Sequence, residues 1–145
     1  MPRLRFGLHI RGAEAQAREE GHEMSQQAPL SSRRCAPCEG KTEPLPRPRV
    51  ESFLKEVPEW RLTPDNQRIR REWRVKGFLA GLDFFRRIAE VAEAEDHHPD
   101  LHLVAYRNVA VEIWTHAANG LTENDFILAA KIDLVPVELF TNPKR

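Results

Sequence analysis

Four of the six histidines in this 145-residue sequence fall close together: His97, His98, His102 and His116. Carboxylates crowd the same stretch: Glu93, Glu95, Asp96, Asp100, Glu112 and Asp125. Histidine titrates near neutrality, so histidines edged by carboxylates can give and take protons at physiological pH. The chemistry to expect is general acid–base catalysis. His97, His98 and His116 are the candidate catalytic residues, with Glu93 and Asp125 in support. Glu93 lies one helical turn before His97, so its carboxylate can reach the His97 region. Each residue also has a plainer explanation. His97-His98-Pro99 is a helix stop, and His116 a strand end. Thr122-x-x-Asp125 is close to a capping box, where an acid favours the helix dipole. Glu93 fits a solvated helix face. Only the joint spacing sets them apart.

The elements that must position these residues follow from periodicity. Val50 to Glu56 is a short helix, with Val50, Phe53, Leu54 and Val57 at helical spacing and Pro58 as its end. Trp60 to Leu62 reads extended, followed by a turn at Pro64-Asp65-Asn66. Arg68 to Val75 alternates as a strand, with Arg71 out of place among Ile69, Trp73 and Val75. Phe78 to about Glu95 is the clearest helix, its apolar face built from Phe78, Leu82, Phe85, Ala89 and Ala92, joined by Ile88. Asp96-His97-His98-Pro99 stops it, because the residue before a proline avoids helical geometry. Leu101 to Ala105 and Val109 to Trp114 are strands around a turn near Arg107-Asn108. Thr122 opens a last helix, which Pro136 disturbs. The expected fold class is α+β, a small antiparallel sheet with helices packed on one face. So small a sheet leaves exposed edges, which favours self-association.

Residues 1–49 read as a flexible N-terminal tail, rich in proline and poor in large apolar side chains, with the folded domain spanning 50–145. Met24 is an equally good start. Glu19-Glu20-Gly21 just before it can be encoded by the purine run of a bacterial ribosome-binding site, which would put residues 1–23 upstream of the protein. Arg3, Arg5 and Arg11 suggest a mitochondrial presequence, but Glu14, Glu19, Glu20 and Glu23 oppose one.

Lys plus Arg and Asp plus Glu number 22 each, a balance that gives no drive toward nucleic acid or an anionic membrane. No run approaches the ~18 apolar residues of a membrane span, and no apolar secretory core stands at the N-terminus. Cys35 and Cys38 are the only cysteines and frame no disulfide scaffold, so a cytoplasmic location is expected. They also lack the second pair that a structural zinc site needs.

The chain reads Glu93-x₃-His97-His98-Pro99-x₆-Tyr106-x₉-His116-x₈-Asp125. This resembles the signature of the pterin-4a-carbinolamine dehydratase family at every fixed position. Further similar text includes Trp114-Thr115-His116 and Gly120 to Ala129, and the resemblance runs from about residue 35 to 138. It implies removal of water from 4a-hydroxytetrahydropterin, giving quinonoid dihydropterin. That substrate arises when aromatic amino acid hydroxylases oxidise their pterin. The resemblance implies His97 and His116 as the acid/base pair, His98 as a pterin-orienting residue, and Glu93 and Asp125 as residues that orient and tune the histidines. It implies no metal and no cofactor, and a homodimer or homotetramer. Three alternatives stand beside it. One is a Zn²⁺ or Fe²⁺ site, for which adjacent histidines are poorly spaced. Another is a non-catalytic pterin-binding or interaction module. The third is a dehydratase for another pterin, such as a molybdopterin-related one.

Overall fold

The computed structural model describes residues 28–37 and 42–143. Residues 1–27, with the Met24 start, and Cys38 lie outside the described residues. Three helices and four strands follow in order. Helix α1 is Arg47–Glu56, strand β1 Arg61–Leu62, β2 Ile69–Arg74, and helix α2 Phe78–Glu95. Then come β3 Asp100–Val104, β4 Asn108–Ile113 and helix α3 Glu123–Asp133. Short 3-10 turns stand at Leu30–Ser32 and His116–Ala118. The sheet is wholly antiparallel, in the order β1-β2-β4-β3. The fold is therefore the expected α+β.

Alternation along the strands sends one set of side chains into the core. Ile69, Trp73, Val75, Val109, Val111 and Ile113 are buried, against Phe84, Ile88, Phe126 and Leu128 from the helices. Burying a side chain such as Phe126, which has no exposed surface, is worth about 1.5–3 kcal/mol. Arg71, misplaced in the alternation, has a partner on the core side. Its guanidinium meets Asp133 and lies 4.6 Å over the Trp73 ring. Asp133 Oδ1 also accepts the Trp60 indole N–H at 2.8 Å.

Two expectations shift. Helix α1 begins at Arg47, three residues before Val50, because Pro48 occupies its first turn, where a backbone N–H has no helical partner. In α2 the buried row is Gly81, Phe84, Ile88 and Ala92, whereas Phe78 and Leu82 are exposed. This helix is apolar on more than one side, and the sheet selects the face bearing Gly81. There a Cβ would stand 3.1 Å from the Leu103 side chain, so the glycine permits close helix–sheet contact. The β3–β4 turn spans Ala105 to Arg107, with Ala105 and Tyr106 left-handed, so it includes Arg107 as expected while Asn108 already belongs to β4.

Residues 28–37, placed in the tail on composition, pack on the domain. Leu30 is buried in the core cluster, and its 3-10 turn lies against α3. One apolar side chain and a set of polar contacts hold the segment, features that average composition hides.

Candidate functional site

Helix α2 delivers His97. At its end Asp96 turns left-handed (φ 50°), and the N–H groups of Asp96 and His97 return to the Ala92 carbonyl. The chain reverses, and the His97 side chain points inward, only 11% exposed. Its Nε2 lies 2.6 Å from Asp125 Oδ1.

Helix α3 delivers Asp125, fully buried, as the third residue of a capping box whose N-cap is Thr122. Asp125 Oδ2 accepts the Thr122 backbone N–H at 2.8 Å and the Thr115 hydroxyl at 2.8 Å. The Thr115 and Thr122 hydroxyl oxygens are also 2.8 Å apart. Proton counting fixes the directions. A carboxylate only accepts, so Thr115 donates its one proton to Asp125, and Thr122 must donate to Thr115. Thr122 in turn accepts the Asp125 N–H through the capping box. The ring of bonds closes, leaving Oδ1 for His97. His97 Nε2 therefore carries the proton, and Nδ1 has no hydrogen-bond partner among the described residues. Asp125 is thus both the helix-cap acid and the partner of His97.

His116 enters through the same network. Thr115 pairs with Gly120 in a small antiparallel bridge, and the intervening turn starts at His116, which is exposed. The His116 ring lies 4.0 Å from that of Trp114. No hydrogen bond or ring contact among the described residues joins His116 to His97; Thr115 is the link between them.

His98 diverges from its neighbour. It points outward, 55% exposed, with Nε2 3.5 Å from Glu93 Oε1. Glu93 therefore sits by His98 rather than by His97, because the left-handed turn at Asp96 carries His97 away from the Glu93 face. His102 belongs elsewhere. It lies on the sheet's outer face, 3.8 Å from Glu112, which Arg68 and Arg70 also hold. Burial pushes the Glu112 carboxyl up, but Arg70 and Arg68 outweigh it and hold the group below its ordinary range. Glu112 and Asp100 serve this ion cluster and not the His97 network.

A cleft of about 260 Å³ opens beside His97, lined also by Cys35, Ala36, Pro37, Glu95, Asp96 and Asn124. Glu95 pairs with Lys131 at 2.9 Å and accepts the Cys35 N–H at 2.9 Å. Burial raises the Glu95 carboxyl, but these two partners outweigh it and bring the group below its ordinary range. The Cys35 thiol is pushed up to about 12 by burial and by the nearby Glu95 and Asp125 carboxylates. A larger cleft of about 760 Å³, lined by residues such as Arg61, Arg68 and Glu112, contains none of the three candidate histidines. Among the described residues no three His, Cys, Asp or Glu side chains converge as a metal cage. No helix there is long and apolar enough to cross a membrane.

Sequence reasoning missed Thr115 and Asn124 as parts of the site, and named Glu95 only among the surrounding carboxylates. Thr115 and Asn124 each sit directly beside a candidate residue, and that adjacency was the only signal available.

Comparison with known proteins identifies the family. Residues 43–135 match the family model described as pterin 4 alpha carbinolamine dehydratase. Pterin-4-alpha-carbinolamine dehydratase 2, mitochondrial, of Arabidopsis thaliana is 50% identical over 81% of this chain, a match spanning 65% of that protein's length. A putative pterin-4-alpha-carbinolamine dehydratase of Halorhodospira halophila is 48% identical over 72% of this chain and 94% of its own. The crystal structure of a transcriptional coactivator/pterin dehydratase from Brucella melitensis superposes with a TM-score of 0.60 at 30% identity, covering 64% of this chain and 98% of that one. With the family model matching well over half of its length, the chain belongs to the pterin 4 alpha carbinolamine dehydratase family.

Proposed function

We propose that this protein is a hydro-lyase that converts 4a-hydroxytetrahydropterin to quinonoid dihydropterin and water, by histidine acid/base catalysis, in tetrahydropterin recycling. The observation that carries the proposal is the His97–Asp125 pair, locked in a closed hydrogen-bond ring at the edge of a cleft. Asp125 fixes the ring orientation of His97 and leaves Nδ1 free. The reaction needs one proton delivered to the C4a hydroxyl, which leaves as water, and one removed from N5–H. The C4a–O bond breaks as the C4a=N5 double bond forms, so protons and electrons balance without a redox step. His97 and His116 divide these two transfers. His98, next to His97 and partnered by Glu93, orients the pterin. Such acid/base assistance is worth roughly 10²–10⁴-fold.

The protein acts in the cytoplasm as a homodimer or homotetramer, without nucleic acid or membrane as a partner. The exposed apolar row Phe78, Leu79 and Leu82 on α2 supports self-association. One experiment tests the function. Purified protein is added to a phenylalanine hydroxylase reaction that generates the carbinolamine, and quinonoid dihydropterin formation is followed by its absorbance. Acceleration that survives a chelator sparing the hydroxylase is expected. No acceleration would leave a non-catalytic pterin-binding module, and loss on chelation would sink the metal-free mechanism.

A further inference from the structure

The first turn of α3 makes three consecutive long-range contacts, and only the third belongs to the network above. Glu123 pairs with Arg33 at 2.7 Å. Asn124 clasps the backbone of Ala36 from both sides: its Oδ1 accepts the Ala36 N–H at 2.9 Å, and its Nδ2 donates to the Ala36 carbonyl at 2.7 Å. Asp125 holds His97. The end of α2 adds an anchor, with Glu95 accepting the Cys35 N–H. Upstream, buried Leu30 plugs the segment into the core. Cys35, Ala36 and Pro37 then face His97 across the cleft. All of this segment lies before residue 43, where the family-model match begins.

We propose that Cys35–Pro37 is a wall of the pterin-binding cleft, and that Asn124 is the positioning residue that holds this wall against His97. The inference rests on the dehydratase reading for the identity of the ligand. One helical turn then sets both sides of the site, with Asp125 orienting the proton-transfer histidine and Asn124 fixing the surface opposite. Asn124 is almost completely buried, and its amide carries both an acceptor and a donor, which meet the N–H and the carbonyl of the one residue Ala36. Without the clasp the wall loses its fixed position, and the ordering cost falls on substrate binding. The effect belongs in KM, because no proton passes through Asn124.

The experiment uses the full chain with Cys38→Ser, so that Cys35 is the only thiol. Asn124→Ala is expected to raise KM by roughly tenfold, the net worth of about one hydrogen bond, with kcat within about threefold. Asn124→Asp keeps the acceptor and loses the donor, so it should fall between; it also suits a helix start, which provides a folded variant if alanine fails. The second readout is the rate of Cys35 alkylation by iodoacetamide at pH 8. It is slow in the parent, because the thiol is poorly ionised there. It should rise in both Asn124 variants, and 7,8-dihydrobiopterin should slow it in the parent. Unchanged KM in the folded variants, or alkylation indifferent to the pterin, would overturn the proposal. An inactive parent whose alkylation the pterin still slows would sink the dehydratase reading and leave the wall standing.

Discussion

Replacing Asp125 with asparagine separates its two structural duties. The carboxylate accepts three bonds: from Thr115 and Thr122 at Oδ2, and from His97 at Oδ1. In Asp125→Asn the amide has one oxygen, and two donors compete for it on the Thr115–Thr122 side. That side wins, which turns Nδ2 toward His97. Two N–H groups cannot face each other, so His97 must carry its proton on Nδ1 instead of Nε2. With His97 as the base of the proposed pair, Nδ1 then presents N–H where a lone pair is required. A comparable tautomer error in serine-protease triads costs roughly 10⁴ in kcat. A fall of about 10²–10³-fold is expected here, because His116 shares the proton transfers. Stability should drop by about 1 kcal/mol, from one charge-assisted bond replaced by a neutral one. For a domain of this size that lowers Tm by about 4 °C. The assay is steady-state dehydration kinetics and thermal melting on one sample, with ¹⁵N NMR of the His97 ring to report which nitrogen is protonated. A variant with the same loss of Tm but kcat within about threefold of the parent would refute the reasoning, and Asp125 would be a helix cap only.

Other consequences follow from the same contacts. His116→Ala should lower kcat by about 10²-fold, and His97→Ala/His116→Ala should be little worse than the poorer single variant, because residues acting as one unit are non-additive; additive losses would separate the two histidines. Glu95 and Glu112 are both held below their ordinary value in the folded state. Their stabilisation is therefore complete above about pH 4.5, the unfolded value, and is lost as pH falls through the folded one. Urea unfolding between pH 6 and pH 3 should show that fall, and Glu112→Gln should flatten it. Asp133→Ala leaves both Arg71 and the Trp60 indole without their acceptor, so it should cost about 1–3 kcal/mol, read from urea midpoints, with kcat unchanged.

Much of the fold was legible because its signals are local. Period-two alternation placed β2 and β4, and Pro99 placed the end of α2. The buried face of α2 was not legible. Phe78, Leu79, Leu82, Phe84 and Phe85 offer overlapping apolar stripes, and only tertiary contact with Leu103 and Val75 chooses among them. Spacing brought His97, His98, His116, Glu93 and Asp125 to notice. It could not reveal that adjacent His97 and His98 point apart, since that depends on one left-handed residue, Asp96. Nor could it place Arg33–Pro37, whose anchors lie 60 or more residues away in the chain.

In the proposed reaction His97 moves a proton during pterin dehydration. The most direct test of this claim is the initial rate of quinonoid dihydropterin formation at saturating carbinolamine, measured for the parent and for His97→Ala at equal folded concentration. The expected result is acceleration by the parent and a rate at least about 10²-fold lower for the variant. Equal rates for the two proteins would contradict the claim.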